Sequence, residues 1–156
     1  MIEIDIPGSG KLCLRFLVTD YNGTLACDGI LIPEVIPLTR ALSTSLEIHI
    51  VTADTFGHAA EYLRILPVKL KILPPDSQDQ GKADYLRQLG AKSAVCIGNG
   101  RNDLLMLRDA ALGICVTEAE GACIQTLQEA DIVCRYAKDA LNLLLNPKRL
   151  IATLRT

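Results

Sequence analysis

Leu17-Val18-Thr19-Asp20-Tyr21-Asn22-Gly23-Thr24-Leu25 begins as a short apolar run, ends that run on a carboxylate, and passes at once into polar, glycine-containing backbone. An apolar run of strand length closed by turn residues reads as a buried β-strand with Asp20 at its C-terminal end. The amides around Asn22, Gly23 and Thr24 are expected to cradle an anion, with the Asp20 carboxylate placed to attack phosphorus or to hold a metal. A simple Asx-turn would look the same over so few residues, so the rest of the chain has to decide.

On either side of this stretch, β-type and helix-type segments alternate to the end of the chain. Residues 1–6 and 11–18 flank a Pro7-Gly8-Ser9-Gly10 turn and read as a hairpin leading into a central strand. Helices are expected over 33–46, 55–65, 80–89 (stopped by Gly90), 102–109, 121–129 and 137–145, and strands over 47–52, 68–73, 93–97, 112–116 and 132–134. Asn146-Pro147 reads as a break. Such alternation predicts an α/β fold, a mostly parallel sheet with helices on both faces, in one domain spanning 1–156.

Composition narrows the classes. The chain has 156 residues, 49% hydrophobic and 22% charged, with a net charge of -2, which argues against disorder and against an electrostatic grip on nucleic acid. Its apolar runs are strand-sized and no signal-like segment opens it, so no membrane association and a cytoplasmic location are expected. Six cysteines lie far apart without metal or redox spacing and read as small buried hydrophobes. Gly8-Ser9-Gly10-Lys11 looks like part of a P-loop, but Leu12 stands where Ser or Thr is needed and a strand follows, so a hairpin turn is the better reading.

In an open parallel sheet, ligands bind beyond the carboxyl ends of the strands. The polar residues there are Asp20, Thr52 and Asn99, with Lys82 on a helix entering the next layer. Together these residues resemble the motifs of the haloacid-dehalogenase-like phosphotransferase superfamily. Its first motif, DxDGT or DKTGT in the P-type ATPases, stands here as Asp20-Tyr21-Asn22-Gly23-Thr24. A Thr or Ser after an apolar strand is matched by Thr52, and Thr52-Ala53-Asp54 looks like the TGD of P-type pumps. The third motif, a Lys near a helix start, is matched by Gly81-Lys82, and the fourth, GDxxND, by Gly98-Asn99-Gly100-Arg101-Asn102-Asp103. The likeness is greatest to a soluble, P-type-ATPase-like branch without a cap domain.

That resemblance implies a three-layer Rossmann-like fold and a Mg²⁺-dependent phosphohydrolase or phosphotransferase working through a phospho-aspartate. Carried over by position, Asp20 is the nucleophile and Thr52 and Lys82 act with it. Asn22, Gly23, Thr24, Thr52, Ala53 and Lys82 bind phosphate. Asp20, Asn22, Asn99 and Asp103 hold the metal, with Asp54 and Asn102 behind them. Glu118 and Glu120, past the strand ending at Val116, read as solvent-facing charges near the site mouth.

Two asparagines depart from the commoner pattern. Asn22 stands where family phosphatases have an acid/base Asp; an amide hydrogen-bonds but does not exchange a proton at neutral pH, so ordinary esters should be hydrolysed slowly. Asn99 removes a charge from the metal site while keeping an oxygen ligand. A non-catalytic module that senses phosphate, metal or a protein on a degraded site is the competing expectation. The gaps between motifs leave no room for a cap, so the site is expected to be open. Its partner would be a phosphorylated small molecule, a nucleotide or a phosphoprotein, or a second subunit would cover it as a homo-oligomer. Residues 26–32 are expected to form a short flap.

Overall fold

A computed structural model describes residues 1–54 and 56–156. Its centre is a six-stranded, wholly parallel sheet in the order β10-β9-β8-β3-β6-β7. The strands are β3 (Phe16–Thr19), β6 (Glu47–Thr52), β7 (Lys69–Ile72), β8 (Ala94–Gly98), β9 (Leu112–Val116) and β10 (Ile132–Cys134). Every residue of β8 and of β9 is buried, the signature of strands covered on both faces. β7, at one edge, alternates Lys69 and Lys71 with apolar residues, which discourages pairing with another chain.

Helices fill both faces. Helices α1 (Val35–Leu42), α2 (Ala59–Leu63), α6 (Ala137–Leu145) and α7 (Pro147–Leu154) join the antiparallel hairpin β1 (Ile2–Ile6) and β2 (Gly10–Leu14) in one core. Helices α3 (Gln78–Leu89), α4 (Leu104–Asp109) and α5 (Ile124–Glu129) pack around Val18, Val51, Leu86, Cys96 and Met106 on the other. The result is the three-layer α/β arrangement with an N-terminal hairpin that the alternation predicts. No helix among the described residues is long and apolar enough to cross a membrane.

The differences from the sequence reading have local causes. The hairpin closes at Leu14 and forms its own sheet, with β3 starting after Arg15. Helix α1 stops at Leu42 because the Ser43 and Thr44 hydroxyls donate to the Arg40 and Ala41 carbonyls and tighten the end into a turn. Helix α2 starts late, after Gly57 at φ +73°, and Thr55, where it was expected to begin, lies outside the described residues. Pro147 opens α7 instead of ending the structure; at a first helical position its missing N–H is no loss. The Gly8 segment is the hairpin turn, and all six cysteines are unpaired.

Strand order decides where a ligand can sit. From β3 the chain runs outward to β6 and β7, then returns to the other side of β3 for β8, β9 and β10. The switch point is therefore the crevice above the C-terminal ends of β3 and β8, where Asp20 and Asn99 lie.

Candidate active site

Asp20 follows the last residue of β3, and its amide is pinned to the Ile97 carbonyl of β8 at 3.0 Å. Lys82, in the second turn of α3, is completely buried beneath it. Its ammonium lies 2.9 Å from Asp20 Oδ1 and donates to Asp103 Oδ1 at 2.7 Å. Asp103 Oδ2 accepts the backbone N–H groups of Asn99 and Gly100, each at 2.9 Å. One buried cation thus joins three elements: the end of β3, helix α3 and the turn after β8.

The charges are set by burial and by one another. Burial, followed by the field of Asp103, pushes the Asp20 carboxyl up to about 7, although Lys82 and the Tyr21 amide oppose this. Burial alone would push the Lys82 ammonium down, but the Asp103 and Asp20 carboxylates reverse it and hold the ammonium above its usual value. The arrangement is a fixed, charged Lys82 between two carboxylates, with Asp20 facing the opening.

Above Asp20 is a cavity of about 200 Å³ lined by Asp20, Asn22, Thr52, Ala53, Gln78, Asn99, Gly100, Asn102 and Glu120. Asn99 is oriented from two sides, donating to the Gly121 carbonyl at 2.8 Å and receiving the Thr24 hydroxyl at 3.4 Å. Gly23 makes room for it: at φ +73°, a Cβ would lie 2.4 Å from Asn99 Nδ2. Thr52 accepts the Asp54 amide at 3.0 Å, and Asp54 in turn receives the Ala59 amide at the start of α2. Asn102 donates to Gln78 at 2.7 Å.

The structure brings Asp20, Asn22, Thr52, Ala53, Asn99 and Asn102 to one cavity and places Lys82 directly beneath it. Two expectations need correction. The Gly23 and Thr24 amides do not face an anion, because they donate within the turn, to Ala26 and Tyr21. Asp103 is fully buried with both oxygens engaged, so it secures Lys82 and the turn after β8 instead of presenting a free carboxylate to a metal. Asp54 lies behind the cavity, as expected, donating its amide to Thr52 and receiving the Ala59 amide at the start of α2.

Gln78 and Glu120 line the cavity without having been singled out as site residues. Gln78 lies four residues before Lys82, on the same helix face, but the expected helix began two residues too late to show it. Glu120 follows the C-terminal end of β9, the sheet edge where ligands are expected. The flap is present as β4 (Ala26–Cys27) and β5 (Ile30–Leu31), and the Asp28 amide at its tip donates to Glu120 Oε1 at 3.1 Å.

Solved structures share this architecture throughout. The 3-deoxy-D-manno-octulosonate 8-phosphate phosphatase from Moraxella catarrhalis, a complex with magnesium ion, phosphate ion and KDO, superposes with a TM-score of 0.71. The match covers 91% of this chain and 94% of that one, at 19% identity. A haloacid-dehalogenase superfamily (subfamily III A) hydrolase structure from Legionella pneumophila gives 0.70, covering 90% and 87% at 16% identity.

The chain has the haloacid-dehalogenase-like fold.

A cobalt-bound deoxy-D-mannose-octulosonate 8-phosphate phosphatase from Haemophilus influenzae with this fold also scores 0.70, covering 92% and 94% at 14% identity. By sequence, 64 residues are 53% identical to an uncharacterized protein of Methanocaldococcus jannaschii, covering 41% of this chain and 69% of that protein. The chain belongs to the same family as that archaeal protein. No family profile matches it. Within the haloacid-dehalogenase-like fold, the crevice at the β3/β8 switch point is where this chain gathers its polar residues.

Proposed function

We propose that this chain is a Mg²⁺-dependent phosphohydrolase or phosphotransferase acting through a phosphorylated Asp20, and slow on ordinary phosphate esters. The observation that carries the reading is the buried Lys82 ammonium held between Asp20 and Asp103 under an open polar cavity. A buried cation costs several kcal/mol of lost hydration unless it is paired, and here one of its partners faces the cavity. Phosphoryl transfer rests mostly on positioning and on cations set against the equatorial oxygens, and Lys82, the Thr52 hydroxyl and the Ala53 backbone can supply both.

The donors fit a hard divalent cation, since the Asp20 carboxylate, the Asn22 carbonyl and the Asn99 side chain offer oxygen. The buried Asn22 side-chain oxygen, which has no hydrogen-bond partner among the described residues, adds an acceptor for a bound group or its water. Magnesium would neutralise charge on the transferring phosphoryl group. Asp103 stands behind this set as the residue that holds Lys82. The magnesium and cobalt of the octulosonate phosphatase structures support the divalent assignment.

Asn22 in place of an acid/base Asp is the reason for slow ester hydrolysis, a cost of about 10²- to 10⁴-fold. Donors with good leaving groups, such as acyl phosphates and nucleotide anhydrides, need little protonation and should phosphorylate Asp20 most readily. This, with Thr52-Ala53-Asp54, supports reading the chain as close to the soluble P-type-ATPase-like branch. Between β3 and β6 the described chain carries only the flap and α1, and between β6 and α3 only α2 and β7, so the cavity opens to solvent. That suits a phosphorylated small molecule, a nucleotide or a phosphoprotein, or coverage by a second subunit.

Incubation with Mg²⁺ and acetyl phosphate should add one phosphoryl group to the intact mass, lost in Asp20→Ala. Asn22→Asp should raise ester hydrolysis by at least about tenfold. A folded chain that shows neither adduct nor turnover would be a binding module on a degraded site.

A further inference from the structure

We infer that Glu120 is a further catalytic residue: its carboxylate takes the proton from the water that hydrolyses phospho-Asp20. The inference rests on the phospho-Asp20 reading and says how the intermediate is cleared when Asn22 cannot do it.

Among the described residues lining the cavity, Glu120 and Asp20 are the two with a carboxylate; the other lining side chains are amides, a hydroxyl and small groups. In the intermediate the Asp20 carboxylate is consumed, so one proton acceptor remains. The neighbouring carboxylates have other tasks: Asp103 binds Lys82 and two amides, Asp54 receives the Ala59 amide, and Glu118 receives the Ala137 amide. Glu120 is also held in place. Its Oε1 accepts the Asp28 amide at 3.1 Å, where Asp28 sits at φ +51° in the tip of the flap. The carboxylates of Asp28 and Glu120 and the Cys27 thiol lie within 4.8 Å of one another at the flap tip.

The step balances. A water oxygen bonds to phosphorus while one of its protons passes to Glu120. The bond between phosphorus and the Asp20 oxygen breaks, its electron pair restoring the Asp20 carboxylate. Phosphate leaves, and Glu120 later returns the proton to solvent.

The test is the lifetime of the phosphoenzyme. Protein phosphorylated with Mg²⁺ and acetyl phosphate is desalted rapidly, and loss of the adduct is followed by intact mass. Glu120→Gln should form the adduct as fast as the native chain but lose it at least about tenfold more slowly. Glutamine keeps an oxygen for the Asp28 amide, so a slowed decay reports the proton and not the flap contact. In an Asn22→Asp background, where a carboxylate is restored, the same substitution should cost less than about threefold, well under a general base's usual contribution. An unchanged decay in Glu120→Gln, or an equal slowing in both backgrounds, overturns the assignment while leaving phospho-Asp20 intact. No adduct on the native chain overturns both.

Discussion

The floor of the site and its mouth are built on opposite principles. At the floor, Lys82 and Asp103 are fully buried, and each of their side-chain polar atoms meets a charged or backbone partner within 2.9 Å. At the mouth, Glu120 is exposed, and one amide from the flap ties it down. On the proposed reading the floor positions a phosphoryl group, a task that tolerates little movement and suits supports that are mutually locked. On the same reading, selection of a donor and access of water need room, which an open mouth supplies. The floor should therefore be costly to disturb and the mouth cheap.

Lys82→Met tests this most severely. It leaves Asp20 and Asp103 buried without their cation, and should cost about 3–5 kcal/mol of stability. Urea unfolding of the metal-free protein measures it, and a loss under about 1 kcal/mol would show that the floor is wetter than its geometry implies. Asp20→Asn combined with Lys82→Met should recover part of the loss, because one buried charge goes with the other.

Gly23→Ala probes the wall between floor and mouth. The new methyl would overlap the Asn99 amide at a backbone angle that only glycine takes easily, so a loss of about 1–3 kcal/mol is expected. The same substitution should lower the yield of phosphorylated protein by moving Asn99. Normal stability together with normal adduct yield would mean that Asn99 has slack, and would blur the contrast between the two regions.

The smallest effect separates burial from charge pairing. His49 on β6 is buried like Lys82, yet it is met by two groups: Tyr85 Oη at 2.8 Å on Nδ1 and the half-exposed Glu47 at 2.7 Å on Nε2. Burial pushes its imidazole below the ordinary value, against the pull of Glu47. The unfolded chain therefore takes up the proton first as pH falls, so stability is lost as pH drops through the ordinary histidine range of about 6.5. Urea midpoints at pH 7.5 and 5.5 should show this loss in the native chain and less of it in His49→Gln. Equal losses would assign the acid sensitivity to other groups.

Much of this was legible in the sequence because buried parallel strands write themselves as apolar runs. Strands 47–52, 112–116 and 132–134 and the helix 137–145 have the bounds their patterns predict. Asp20, Thr52 and Asn99 could be placed at strand ends for the same reason. Helix termini were less legible, since the Ser43 and Thr44 hydroxyls and the Pro147 start act through local hydrogen bonding that periodicity does not record.

By itself the sequence determined the alternation of elements, the carboxylate at the end of β3 and the amide, Asn22, two positions after it, all properties of residue order and side-chain chemistry. Tertiary structure alone decided what those groups do to each other. Asp103 turns inward to Lys82, the Gly23 and Thr24 amides are spent within their own turn, and Glu120 arrives at the cavity from β9, one hundred positions after Asp20. Hydrogen-bond partners and burial depend on distances across the sheet, and strand order, which no local pattern encodes, sets those distances.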